Sequence, residues 1–108
     1  MTPSEISRRL VFLRRVAGMI LENGGETYRA EDTVLHMSRA CGFSDPQTLA
    51  LPTGVFLSVI YGGETYSTMV RVVKRTINLG ILNKVNNLSR RFTSEIKRHR
   101  LILGVTKW

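Results

Sequence analysis

"GVFLSVIYGGETYSTMVRVV" (residues 54–73) decides the fold class, because its side chains alternate with the period of two that β-strands require. Every second residue from Tyr66 to Val72 falls on one face, and the intervening residues fall on the other. The pair Gly62-Gly63 in the middle is typical of a two-residue hairpin turn. Together with QTLAL (47–51), which has a similar composition, the segment predicts two or three antiparallel strands.

On either side of the strands, apolar residues recur at steps of three and four, which is the spacing of amphipathic helices. This spacing predicts helices over residues 4–22, 26–41 and 78–92, with Ser4 and Asn78 as N-caps. The tail after residue 92 either extends the third helix or starts another. The predicted core positions are Ile6, Leu10, Leu13, Ala17 and Ile20, then Ala30, Val34, Met37 and Cys41, then Ile81, Val85, Leu88 and Phe92.

The order of these elements predicts a small α+β fold. Two N-terminal helices precede an antiparallel sheet of two or three strands, and one or two C-terminal helices pack on that sheet. The 108 residues are enough for one domain with one core, so we predict a single domain over 1–108 with a basic tail over 93–108.

The charge of the chain narrows the classes of partner. Sixteen basic against eight acidic residues give a net charge of +8, which suits nucleic acid, an anionic membrane surface or an anionic ligand. The basic residues are spread along the chain and do not cluster as a recognition helix. Their density is highest over 90–100, which suits a surface next to an anionic membrane or a phosphate backbone. Cys41, His36 and His99 have no zinc-site spacing, so we expect no metal and no cofactor.

Several polar stretches admit both a functional and a structural interpretation. The glycine pair in ENGGETYRAED (22–32) is either a helix corner or, less in keeping with its spacing, an anion-binding loop. Thr53 is a turn residue, or a nucleophile if a base stands beside it. Arg71 faces water, is paired, or binds a carboxylate. Asn86, Ser89 and Arg90 share one helix face, which lines solvent, a helix contact or a site.

Three segments in fixed order carry a resemblance to a known family: residues 17–42, with GGETYRAED, residues 52–59, with PTG, and residues 68–92, with VNNLSRR. In that order they resemble the soluble N-terminal domain of the threonine/serine exporter family, over about residues 14–92. The chain departs modestly from the family pattern at Ala30, where an aliphatic residue is typical, and at Gly25, where alanine is common.

The resemblance implies a cytoplasmic domain at the cell membrane. Its partner would be a membrane-spanning domain or a separate small membrane subunit, and the exported substrates would be threonine, serine or small dicarboxylates. The basic residues over 90–100 would then face an anionic membrane. The polar positions that match the family pattern are Glu26, Thr27, Arg29, Glu31, Thr53, Arg71, Asn86, Ser89 and Arg90.

These positions suggest a polar network where the second helix, the strand break and the late helix meet. An amino-acid ligand needs a carboxylate for its ammonium group and an arginine for its carboxylate, and the network contains both. The network is either such a ligand site or a structural device. A domain that regulates the exporter or supplies its substrate is the leading hypothesis, followed by a hydrolase-like enzyme and then by a nucleic-acid binder.

Overall fold

A computed structural model describes the backbone of residues 1–107 and the side chains of residues 1–98. Over these residues the predicted α+β layout is confirmed, with two helices, a three-stranded antiparallel sheet and a C-terminal helix. In chain order the elements are α1 (Pro3–Glu22), α2 (Thr27–Ala40), β1 (Ser44–Leu51), β2 (Gly54–Tyr61), β3 (Glu64–Arg71) and α3 (Leu79–Lys107).

The sheet is a meander in which β2 lies between β1 and β3. The hairpin at Gly62-Gly63 is confirmed, and both glycines have positive φ (59° and 81°), which two-residue hairpin turns favour. Next to this turn, the pKa of Tyr66 is raised. The largest cause is partial burial, and the second is the hydrogen bond that Tyr66 Oη donates to the Glu64 carboxylate (3.1 Å). β1 begins at Ser44, three residues before the predicted start, and a register irregularity between Ser44 and Gln47 accommodates the extra length.

The core lies between one face of the sheet and helices α1 and α2. Leu57 and Val59 point inward from the central strand and are at most 1% exposed, as are Leu13 and Leu21 of α1. In β3, the residues that the alternation places together on one face, Tyr66, Thr68 and Val70, are the half-buried ones. The four predicted core residues of α2 are all buried: Ala30, Val34, Met37 and Cys41.

The first helix begins one residue earlier than predicted. Thr2, not Ser4, is the N-cap, and its Oγ1 accepts a hydrogen bond from the Glu5 N–H (3.2 Å). Pro3 explains the difference, because proline is favoured at the first helical position and places the cap on the preceding residue.

The third helix is continuous from Leu79 to Lys107, so the tail extends it. Its main contacts are with α1 and α2 rather than with the strands of the sheet. Val85 is buried, and the Phe92 ring lies 5.0 Å from that of Phe12. Leu88, predicted in the core, is 38% exposed, because the buried stripe passes through Ser89 (7%). The side chains of residues 99–108, including His99 and the end of the basic tail, lie outside the described part.

Asn78 caps α3 as predicted, because its Oδ1 accepts a hydrogen bond from the Ile81 N–H (3.0 Å). We expect Asn78→Ala to lower the free energy of unfolding by about 1 kcal/mol, since an N-terminal amide loses its acceptor. Urea unfolding would measure this loss. Asn78→Ser, which retains a capping oxygen, should stay within a few tenths of a kcal/mol of the parent. Equal losses in the two variants would show that the cap does not stabilise the helix.

The glycine corner between α1 and α2 is closed from both sides. The N–H groups of Gly24 and Gly25 donate to the carbonyls of Leu21 (3.2 Å) and Ile20 (2.7 Å). Across the corner, the Thr76 N–H donates to the Glu22 carbonyl (2.7 Å). Because both glycine amides are already used by α1, the corner is structural and is not an anion-binding loop.

Candidate functional site

The structure distributes the predicted polar residues over four places. Arg29, Asn86, Ser89 and Arg90 come together in a groove between α2 and α3. Glu31 lies at the edge of the sheet, where it contacts β1. The remaining residues lie at the start of α2 (Glu26, Thr27) or on the outer face of the sheet (Thr53, Arg71).

The groove between α2 and α3, called the α2–α3 groove below, is an open depression with two connected parts. The upper part has a volume of about 320 Å³, and the lower part about 470 Å³. Asp32, Thr33, Ser89 and Arg90 line both parts, which makes them one continuous channel. Both volumes lie within or near the range of small-molecule sites. Arg29 and Asn86 complete the upper part, and His36, Met37, Thr93, Ser94 and Lys97 complete the lower part.

Helical spacing explains why these residues share the groove. On α2, the lining residues from Arg29 to His36 follow one another at one-turn intervals, as do those on α3 from Asn86 to Lys97. Two local hydrogen bonds order the α3 wall. Ser89 Oγ donates to the Asn86 carbonyl (2.9 Å), and Arg90 Nη2 donates to Asn87 Oδ1. The guanidinium group of Arg90 is thereby held along the exposed side of α3.

The charges in the groove have both signs, with an excess of positive charge. Arg29, Arg90 and Lys97 are cationic, and Asp32 is the carboxylate that lies among them. Such an arrangement attracts a ligand that carries a carboxylate group, because a guanidinium group binds carboxylate oxygens bidentately. Asp32 offers a place for a ligand ammonium group in the same channel. The lining of the groove therefore presents cationic groups and a carboxylate side by side.

Glu31 has a structural partner outside the groove. Its Oε2 accepts a hydrogen bond from the backbone N–H of Ala50 in β1 (2.8 Å). β1 is an edge strand, so the outward amides of this strand have no neighbouring strand to bind. Ala50 is only 7% exposed, and water therefore reaches its amide poorly. The Glu31 side chain satisfies a buried donor and covers the sheet edge.

Replacing Glu31 by alanine should lower the free energy of unfolding by about 2 kcal/mol, because it leaves the Ala50 amide buried without an acceptor. Glu31→Gln retains an acceptor oxygen and should lose less than about half of that amount. Chemical denaturation of the two variants would test the difference. If Glu31→Ala unfolds at the parent's denaturant concentration, the contact has no structural role.

Glu26 and Thr27 lie at the start of α2, away from the groove lining. Glu26 is the N-cap residue and is exposed, and its side chain makes no capping hydrogen bond within the described part of the chain. Thr27 is half-buried. Their backbone groups start the helix, since the Glu26 carbonyl accepts from the N–H groups of Arg29 and Ala30 (3.1 and 3.2 Å).

Thr53 and Arg71 line a shallow depression on the outer face of the sheet. Thr53 is exposed in the turn between β1 and β2, and its carbonyl accepts a hydrogen bond from the Val72 N–H (2.9 Å). Among the described residues, the side chains that line this depression include no carboxylate and no imidazole. No group there could take a proton from the Thr53 hydroxyl, so the geometry gives the hydrolase hypothesis no base.

Sequence reasoning missed half of the groove. Asp32, Thr33 and His36 on α2, and Thr93, Ser94 and Lys97 on α3, were not among the predicted site residues. A usable signal was present, because these residues lie one or two turns from Arg29 and Arg90 on the same helix faces. However, these two faces meet only because of the way in which α2 and α3 pack, and the residue spacing within each helix does not predict this packing.

Comparison with known proteins gives the family. The family model described as "Putative threonine/serine exporter" matches residues 11–101, which is most of the chain and extends beyond the predicted match of 14–92. The chain belongs to the threonine/serine exporter family. No curated protein and no solved structure gives a significant match.

Membership of the threonine/serine exporter family implies a membrane context. Within the described part of the chain, none of the helices combines the length and the apolar character needed to cross a bilayer. The same part contains no group of three or more histidine, cysteine or acidic residues that could hold a metal ion.

Proposed function

We propose that this chain is the cytoplasmic domain of a threonine/serine exporter and that its α2–α3 groove binds the small amino acid that is exported. The observation that carries the proposal is the gathering of Arg29, Arg90 and Asp32 in one channel. Arg29 and Asp32 lie on α2 and Arg90 lies on α3, so the three side chains come together only when the chain is folded. Family membership supplies the class of substrate.

Each group of threonine has a counterpart in the groove. The carboxylate group would bind Arg29 and Arg90, and the ammonium group would bind Asp32. The side-chain hydroxyl would find partners in Asn86 and Thr33, which can donate and accept hydrogen bonds. Because Arg29, Asp32 and Arg90 are exposed in the free chain, water competes for them, and we expect a dissociation constant on the order of a millimolar.

Weak binding suits the role proposed here. A domain that senses the cytoplasmic amino acid, or that raises its concentration near the membrane-spanning part, must release it again quickly. The membrane-spanning domain or a small membrane subunit would be the partner that receives the ligand or responds to it. Serine would bind in the same way, and a small dicarboxylate would use the cations without Asp32.

Isothermal titration calorimetry tests the proposal with three ligands. L-Threonine should bind. Threoninol, which lacks the carboxylate group, should not bind, because it offers no anionic group to the excess positive charge of the groove. Succinate has no ammonium group, so its affinity measures the contribution of the cationic side chains without Asp32. Equal heats for threonine and threoninol, or no heat with any of the three ligands, would contradict a carboxylate-binding groove.

A further inference from the structure

The outer face of the sheet is divided into an apolar half and a polar half. Leu49, Phe56 and Met69 lie opposite one another in register across the three strands and are 56%, 46% and 57% exposed. Leu51 lies in the next row and is 51% exposed. We call these four residues the apolar half-face. Helices α1 and α2 pack on the other face of the sheet, so these side chains meet solvent in the isolated chain.

The change of character along this face is abrupt. The row on the other side of Leu49, Phe56 and Met69 consists of Gln47, Ser58 and Ser67, which are polar. Antiparallel sheets with one solvated face commonly carry polar side chains on that face, whereas the row of Leu49, Phe56 and Met69 has none. Contiguous exposed apolar side chains with a polar border mark a contact surface.

Positive charge borders the apolar half-face on one side. Arg71 lines the apolar depression, whose volume is about 300 Å³, and also lines the adjoining depression that contains Val73 and Lys74. Val73 is 81% exposed and is followed directly by Lys74, so an exposed apolar side chain and a cation are neighbours in this stretch of chain. The depression of the apolar half-face and the adjoining one, which Lys74 and Glu22 also line, share Arg71.

We propose that the apolar half-face, together with Arg71 and Lys74, lies against the surface of an anionic lipid bilayer. Apolar side chains that enter the boundary of the acyl chains, with cations at the level of the headgroups, are the combination that holds proteins at such a surface. A second copy of the chain fits less well, because two chains of charge +8 would bring Arg71 and Lys74 near like charges. This surface lies on the other side of the sheet from the α2–α3 groove, so the inference does not depend on the proposed function.

Vesicle co-sedimentation of the whole chain tests the inference. The vesicles are phosphatidylcholine alone, or phosphatidylcholine with an equal part of phosphatidylglycerol. The chain should sediment with the mixed vesicles and stay in solution with the neutral ones. Phe56→Ser with Met69→Ser should weaken this binding about tenfold. The matched control is Val11→Ser with Tyr28→Ser, which removes exposed apolar side chains from the helices and should leave the binding unchanged.

Charge variants distinguish binding through this local surface from binding through the overall positive charge of the chain. Arg71→Gln with Lys74→Gln should weaken binding about 30-fold, since each of the two cations near the surface contributes about 1 kcal/mol. Arg8→Gln with Arg15→Gln removes the same charge from α1 and should have a much smaller effect. Equal losses in the two charge pairs, or no binding to the mixed vesicles, would overturn the inference. So would a concentration-dependent dimer in sedimentation velocity that Phe56→Ser with Met69→Ser abolishes.

Discussion

Gly25→Ala is expected to lower the free energy of unfolding by about 3 kcal/mol, the upper end of the usual cost of overpacking. A Cβ atom on Gly25 would lie 2.4 Å from Ile20 Cγ2 and 2.7 Å from the Ile20 carbonyl oxygen. The side chain of Ile20 could rotate away, but the carbonyl belongs to the end of α1 and accepts the Gly25 N–H hydrogen bond (2.7 Å). Relief of the clash therefore requires that the corner between α1 and α2 opens.

Gly18→Ala is the matched control for this prediction. A Cβ atom there would make ordinary contacts with Val70 at 3.4 Å, and alanine favours the helix interior over glycine. Urea unfolding should show a large loss of stability for Gly25→Ala and no loss for Gly18→Ala. The glycine at position 25 then has a physical reason in the packing of this corner. If Gly25→Ala is as stable as the parent, the corner is not packed as described.

Replacing both groove arginines, by Arg29→Gln and Arg90→Gln, is expected to weaken L-threonine binding by at least about 30-fold. A charge-assisted hydrogen bond contributes about 1.5–3 kcal/mol, and the double variant removes both cationic partners of the ligand carboxylate from the upper part. Stability should change little, because both side chains are exposed. Calorimetry measures the affinity, and urea unfolding measures the stability.

Two further variants make this prediction specific. Arg91→Gln removes an exposed cation of α3 that does not line the groove, and it should leave threonine binding within about twofold of the parent. Asp32→Asn should weaken threonine binding while leaving or improving succinate binding, because only threonine has an ammonium group. A loss of affinity in Arg91→Gln as large as in the double variant would mean that threonine responds to overall charge.

The sequence carries most of the local structure in its periodicity and turn chemistry. The alternation over 54–73 with Gly62-Gly63 is enough to predict the hairpin, because a register shift would turn the whole apolar set to the wrong face. Asn78 is recognisable as a cap from its place before an apolar repeat. The placing of Asn86, Ser89 and Arg90 on one helix face also follows from spacing alone, and all three line the groove.

The rest depends on contacts between elements that are distant in sequence. Glu31 reaches the Ala50 amide across 19 positions, and nothing in its own helix indicates that a sheet edge lies beside it. Leu88 and Ser89 are both compatible with an apolar stripe, and only the packing of α3 on α1 and α2 decides that the serine is buried. Asp32 is a groove residue for the same reason, because its face of α2 meets α3.

Nuclear magnetic resonance titration of the isotope-labelled chain with L-threonine tests the central claim most directly. If the α2–α3 groove binds the amino acid, the largest amide shift changes will lie in two segments, 29–36 of α2 and 86–97 of α3. The amides of the outer sheet face, from Leu49 to Phe56, should stay unchanged at the same ligand concentrations. Shift changes outside these two segments, or none at threonine concentrations well above a millimolar, would contradict the account.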